Sequence, residues 1–422
     1  MKILIKNAKV IDEESSYHGK VIDILIKNGQ IENISNHIED DSAKIIQYKN
    51  LKISQGWVDL KANFCDPGTE HKEDINTGMK AAALGGFTHV GIVGSTTPVI
   101  DGKSQLKYID SLAQDNIVKI HVIGAITKNI KGESLAEMYD MHSHGINLFS
   151  DDGFHLSSGI LLRSLLYVDN FKGTIISCPN DPGIASNGII NEGTASIKTG
   201  LKAIPRLAET IQLERDISIL EYTGGSLHIS GISCAESVEL LKNAKQKELN
   251  ITVDVHSNQL IFNELDILEF DTNHKVMPPY RTEEDQKALI NGVNDGTIDA
   301  IVSNHRPQNK EEKEVEFDHA SFGTISLQTV FSSLIHFTNL STENIVHKLS
   351  NSNRKILRVK SNPIEVGGFA DMTLFNDDQK FIFTEDQIVS KSSNSPFINK
   401  EMTGFAYGII RGDKLQLNSN KF

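Results

Sequence analysis

Cysteine, tryptophan and proline are scarce in this chain: 3, 1 and 10 among 422 residues. The cysteines, Cys65, Cys178 and Cys234, form no CxxC pair. So sparse and odd a set excludes a disulfide framework and a structural zinc knot. No run approaches the roughly 20 apolar residues of a membrane span. The opening MKILIKNAKVIDEESS is broken by Lys6 and Lys9 and lacks the apolar core of a secretion signal. Positive charge is also short. With 42 Lys and Arg against 55 Asp and Glu, the net charge is −13. That disfavours nucleic acid and anionic membrane as partners, and its plainest meaning is solubility. A cytoplasmic protein is expected. There is no internal repeat and no low-complexity tract.

What is present is enough chain for a large barrel and a second module. Residues 2–12 and 21–35 read as short β runs, with a hairpin at Asn28-Gly29, two residues that tolerate positive φ. From about residue 52 strands alternate with helices. The strands are ISQGWVDL, FTHVGIV, IVKIHVIGAI, GINLFS, TIISC, GSLHIS, ITVDV and AIVSN. Helices are predicted near 71–84, 103–114, 133–141, 158–168, 203–215, 234–246, 283–294 and 325–336. Eight β–α units over ~300 residues suit a closed parallel barrel, whose active residues sit at the C-terminal strand ends. The last part returns to β, with ADMTLFN after Gly367-Gly368 and two strands meeting at Gly412-Asp413. Residues 1–52 and 363–422 are each too small to bury a core alone. They are expected to pair as one composite β-sandwich domain beside a barrel spanning 53–362.

The strand ends carry a resemblance that runs almost end to end. QGWVDLKANFCDPG (55–68), GGFTHVGIVGSTTPVID (85–101) and SDDG (150–153) are similar, in order, to motifs of the type I dihydroorotases. So are NEGTASIKTGLKAIPRLAETIQLERD (191–216), HKVMPPYR (274–281), VSNHRP (302–307), FDHASFGTISLQT (317–329) and SKSSNSPF (390–397). VSNHRP stands where the family has T-D-H-A-P. The resemblance implies a (β/α)8 TIM barrel of the amidohydrolase type. It also implies interconversion of N-carbamoyl-L-aspartate and L-dihydroorotate. Members of the superfamily use one or two divalent metals, usually zinc, to bring the pKa of bound water to ~7.

The residues implied for that chemistry are mostly replaced. Lys61 and Asn63 stand where the first strand should carry two histidines; an ammonium repels a metal, and an amide is a weak neutral ligand. Ser177 stands for the histidine of strand 5. Gly231 stands for the second histidine of strand 6, although His228 survives. Asn304 replaces the proton-shuttling aspartate, and an amide is no general base. The Asp151–Asp152 pair is retained, and the resemblance does not say which of the two is the bridging ligand. Among substrate-reading positions, Cys65 replaces an arginine, Ser95 and Met277 replace asparagines, and Gln308 replaces a histidine. Cysteine cannot reproduce the bidentate hold of arginine on a carboxylate.

Framework motifs survive: Asp66-Pro67-Gly68, Pro205, Arg215-Asp216, Pro278-Pro279 and Phe322-Gly323. A kept fold with an erased site points to a catalytically silent member. No metal or cofactor is expected, with Asp151, Asp152 and His228 as the residual candidates. By family analogy the chain is a dimer that supports pyrimidine biosynthesis as a structural or regulatory partner of aspartate transcarbamoylase. The alternatives are an active, zinc-dependent dihydroorotase with another ligand set, or a remodelled pocket with another ligand or reaction. Lys61 is expected to neutralise an aspartate at the barrel mouth; its sharper role would be a Schiff-base nucleophile with a depressed pKa. Cys65, Cys178, His228 and His256 could build a replacement zinc site, but their spacing is irregular. His305 is expected to be a hydrogen-bonded core residue, and residues 311–314 a solvated loop.

Overall fold

The computed structural model describes residues 2–418. The N-terminal runs form antiparallel strands Lys2–Val10, Val21–Lys27 and Gln30–Ser35, and the chain turns at Asn28 and Gly29 with φ of 51° and 76°. Both termini feed one mixed, eight-stranded sheet. The strand Lys52–Gln55 joins its halves. It runs parallel to Lys2–Val10 (Lys9 opposite Lys52) and antiparallel to Asp371–Ile382 (Met372 opposite Gln55). The core of this sheet is built from β-branched side chains, among them Ile3, Ile5, Ile24 and Ile53.

The strand Trp57–Ala62 then opens a ring of eight parallel strands. The others are Phe87–Val93, Lys119–Ile123, Leu148–Ser150, Thr174–Ser177, Leu227–Ile229, Ile251–His256 and Ala300–Val302, numbered here as barrel strands 1 to 8 in that order. Bridges Gly124–Phe149 and Ala62–His305 close the ring between strands 3 and 4 and between strands 8 and 1. All seven residues of strand 2 are buried, as expected of a parallel strand covered on both faces. Inside the ring, buried Asp59 on strand 1 accepts from the Ser303 amide and hydroxyl, both at 2.7 Å, and so ties strand 1 to strand 8. Burial pushes its carboxyl pKa up to about 7.

Several predicted helices shift. The one expected from 71 begins at Ile75, where Asp74 forms a capping box, and Glu73 stays outside it, facing His305. Residues 133–137 are not helical: Asn129 and Gly132 take positive φ, and only Met138–His142 coils. The helix expected from 203 starts at Leu207, because Ala203–Ile204 pair with Ile190–Asn191. The one expected from 325 is Val330–Phe337, and the helices Thr342–Leu349 and Asn351–Leu357, absent from the sequence-based reading, follow it. Residues 311–314 are not a solvated loop either. Lys310–Lys313 is a helical turn, and Lys313 is buried, donating to the carbonyls of Ser321 and Gly323. No helix among the described residues is long and apolar enough to cross a membrane.

Candidate functional site at the barrel mouth

The C-terminal ends of the strands surround a cavity of about 300 Å³. Its wall includes Lys61 from strand 1, Asp152 after strand 4, Cys178 after strand 5, Gly231 after strand 6 and His256 at the end of strand 7. Asn304 and Arg306 follow strand 8, and Met277 and Gln308 also contribute. Lys61 Nζ lies 3.4 Å from Cys178 Sγ and 3.3 Å from Ser230 Oγ. Arg306 Nη2 donates to both oxygens of Asp152 at 2.7 Å, and Ser95 Oγ donates to one of them at 2.5 Å. Cys65, Asp152 and Asn304 hold positive φ (58°, 47° and 46°). Such backbone is uncommon for residues other than glycine and gathers at sites that the surrounding fold over-determines.

Charge is balanced within this cluster. Burial opposes the charge on Lys61, but Cys178 in its ionised form and the carboxylates of Asp152 and Asp254 outweigh it and hold its pKa above the ordinary lysine value. That direction is opposite to the depressed pKa a Schiff-base nucleophile requires. Burial likewise opposes ionisation of Asp152, yet Arg306 and Lys61 overcome it and keep the carboxyl below its usual range. Burial pushes the Cys178 thiol up. Burial and the Lys61 charge together drop His256 to about 3, so its ring is neutral.

The structure separates residues that the sequence leaves side by side. Asp152 faces the cavity. Asp151 turns away and accepts from the amides of Ile126 and Thr127 and from the Thr127 hydroxyl. Ser177 is not the mouth-facing residue of strand 5: its hydroxyl donates to Asp216 at 2.6 Å, and Cys178 takes the inward place. A one-residue offset reverses the side of a strand on which a side chain lies. His228 lies outside the cavity wall. Its ring nitrogens are engaged at 2.8 Å by Thr252 Oγ1 and at 2.9 Å by Asp254 Oδ2. A Cβ on Gly231 would come within 2.6 Å of His256 Nε2, so the His256 ring fills the space beside it. Asn63 does not line the cavity; its side-chain oxygen accepts from the Cys65 amide at 2.7 Å. The thiol of Cys65 is buried against the carbonyls of Asn63 and Pro307. The four residues of the suggested replacement zinc site are therefore not gathered. His305 is a core residue as expected, with Nδ1 accepting from the Ser326 amide at 3.1 Å.

Arg306 is the mouth residue that sequence reasoning missed. Its signal was present, since VSNHRP carries an arginine where the resembled motif has alanine. Asn180, which closes the SCPN run after strand 5, lines the cavity as well, as does Phe154, which had no signal.

Comparison with known proteins agrees with this layout. A family profile described as dihydro-orotase-like matches residues 51–237. A dihydroorotase from Caldanaerobacter subterraneus subsp. tengcongensis is 37% identical, with 100% of this chain and 99% of that protein covered. One from Caldicellulosiruptor saccharolyticus is 38% identical, with 98% of each covered. Among solved structures, the L-hydantoinase (dihydropyrimidinase) from Arthrobacter aurescens superposes with a TM-score of 0.87 at 20% identity, over 99% of this chain and 96% of that one. That likeness concerns the fold. Identity along the whole length, on a barrel with this arrangement of strand ends, places the chain in the dihydroorotase family of the amidohydrolase superfamily.

Proposed function

We propose that this chain is a catalytically silent dihydroorotase-family protein that serves pyrimidine biosynthesis as a structural or regulatory partner. One observation carries the reading: the carboxylate facing the mouth is clasped by Arg306 through both oxygens, beside an ammonium from Lys61. As arranged, these residues do not fit zinc. A metal there would meet two fixed positive charges and lack the imidazoles that hold zinc. Among the described residues, no three His, Cys, Asp or Glu side chains are grouped to hold a metal. Asn304 cannot take up a proton as the family's aspartate does. What the mouth can do is hold its own charges together and keep the strand ends in place.

A second reading has a specific observation in its favour. The relatives that match this chain end to end are named dihydroorotases, which supports an active cyclic amidohydrolase working with zinc through rearranged side chains. The comparisons weigh on that side; the charges at the mouth weigh on the other. One measurement separates the two: turnover of L-dihydroorotate by the purified chain with added zinc, with bound metal quantified on the same sample. The silent reading expects no turnover and far less than one metal per chain. Turnover with one or two metals per chain establishes the active reading. For the partner role, aspartate transcarbamoylase is the candidate that the family analogy supplies. Co-sedimentation of the two purified proteins is expected, and their separate migration at micromolar concentration would remove it.

A further inference from the structure

A larger cavity, of about 900 Å³, opens at the other end of the barrel. Its wall is built where strands begin. Thr174 starts strand 5, and Ser226, Asn250 and Asp299 directly precede strands 6, 7 and 8. The helices Thr342–Leu349 and Asn351–Leu357 and the turn after them complete it. None of these residues takes part in the mouth.

The charge here runs against that of the chain. Five cations line the wall (Lys172, Lys348, Arg354, Lys355 and Arg358) against three carboxylates, Glu14, Asp169 and Asp299. Two of the cations are compensated, Lys172 by Asp169 at 3.1 Å and Arg354 by Asp371 at 2.8 Å. The remaining carboxylates are also engaged. Asp299 is held by Lys245 at 2.7 Å, and Glu14 accepts from Gln55 and Ser361. Lys348, Lys355 and Arg358 have no ion-pair partner among the described residues. Lys348 is only 6% exposed and donates to the Ile298 carbonyl. An ammonium so far from water and without an ion-pair partner is an unusual thing to keep. Burial depresses its pKa, and Asp299 opposes the shift.

Arg358 adds an independent sign. It follows the helix Asn351–Leu357 with φ of 58°, the left-handed position at which helices commonly place glycine. A long cationic side chain is kept there against the backbone's preference. Its Nη2 donates to Thr174 Oγ1, which shares a hydrogen bond with Ser226 Oγ, so guanidinium and hydroxyls lie together. The wall has no Phe, Tyr or Trp on which a base could stack, and it is rich in hydroxyl and amide groups. We propose that this cavity binds a small multivalent oxyanion, a phosphorylated metabolite, between Lys348, Lys355 and Arg358. Ammonium and guanidinium groups beside hydroxyl donors match the oxygens of phosphate, and a polycarboxylate shares enough of that chemistry to need its own arm in the test.

The test is calorimetric titration of the full-length chain with inorganic pyrophosphate, and separately with citrate, at physiological ionic strength. Saturable binding of one pyrophosphate per chain and a higher Tm are expected. The double variant R358G/K355M should bind at least about tenfold more weakly. It should fold as the parent does, because glycine accepts the left-handed backbone and Lys355 is exposed. K61M, at the mouth and shown to be folded by circular dichroism, should leave the binding unchanged. Absence of saturable binding with either probe overturns the proposal, as does parent-like binding by R358G/K355M. Binding abolished by K61M would place the anion at the mouth and also overturn it. Citrate bound in preference to pyrophosphate would overturn the assignment to phosphate. None of these outcomes depends on whether the mouth is active.

Discussion

At the mouth, Arg306 is paired with Asp152, and Lys61 feels the carboxylates of Asp152 and Asp254; at the opposite end, Lys348, Lys355 and Arg358 have no ion-pair partner among the described residues, and Asp299 acts on Lys348 alone. The two ends belong to one barrel and differ in how charge is settled. Each mouth charge has its counterpart in the fold, so no outside ion is needed and the network holds only while all its members stay. The other end leaves positive charge over, in a chain with a large negative excess. Substitutions should therefore act in opposite senses at the two kinds of site. Removing one member of a closed pair leaves a stranded charge, whereas removing a surplus cation strands nothing.

The largest effect is expected at a closed pair on the otherwise uncompensated side. Arg354 donates to Asp371 and to the carbonyls of Gly56 and Lys360 from a buried position. Burial opposes ionisation of Asp371, but His89 and Arg354 keep its carboxyl far below the usual range. Arg354→Met strands that carboxylate and should cost about 3–5 kcal/mol in chemical denaturation. A loss under about 1 kcal/mol would mean that His89 alone satisfies Asp371 and that the pair is not closed in the sense used here.

Next comes the mouth itself. Arg306→Met removes the clasp on Asp152 and leaves Lys61 and Ser95. The Arg306 side chain is 29% exposed, so the expected loss is smaller, about 2–3 kcal/mol. Adding Asp152→Asn should recover most of that loss, because the stranded charge goes with it. A double variant as unstable as the single one would show that Arg306 acts by packing.

How much of this could be read in the sequence depends on how local the determinant is. The barrel was legible because each strand and helix announces itself within about ten residues, and the family because its motifs fall at strand ends in order. Lys61, Gly231 and Asn304 were legible as departures from those motifs, and the structure places all three on the cavity. Ser177 and Cys178 were not separable, nor Asp151 and Asp152, because adjacent residues differ only in the side of the backbone they occupy. Arg306 was visible as a letter, but its grip on Asp152 spans 154 residues. The opposite cavity was illegible for the same reason: its wall collects residues from four strand starts, two helices, the turn after them and the N-terminal segment, which no short motif unites.

Proton uptake gives a graded test of the mouth. His256 is neutral in the fold with its pKa near 3, against an ordinary value of 6.5, burial being the largest cause and Lys61 the next. Below pH 6.5 the unfolded chain takes up a proton that the folded chain refuses. The stability due to this histidine is therefore full above pH 6.5 and is lost as pH falls toward 3. By pH 5 the loss amounts to about 2 kcal/mol. Asp59 works in the other direction. Its raised pKa of about 7 contributes stability below the ordinary 3.8 that is lost as pH rises through 7. His256→Gln should flatten the fall in Tm between pH 7 and pH 5, and Asp59→Asn should flatten the fall between pH 5 and pH 8. An unchanged acid slope in His256→Gln would place the uptake elsewhere, with half-buried His121, also near 3, as the first alternative.

The smallest effect has the opposite sign and decides the comparison most directly. Arg354 and Arg358 lie four residues apart in the same wall, one buried and paired, the other exposed and unpaired. Arg358→Gly relieves a left-handed backbone and lowers the repulsion on Lys355 and Lys348. Against this stand a hydrogen bond to Thr174 and the extra freedom glycine gives the unfolded chain. The balance should be a gain of up to about 1 kcal/mol in the absence of added anion. That gain should shrink or reverse when pyrophosphate is present, because the parent then gains a ligand that the variant has lost. A destabilised Arg358→Gly in anion-free buffer would mean that Arg358 is already compensated within the fold, and the two ends of the barrel would no longer differ in kind.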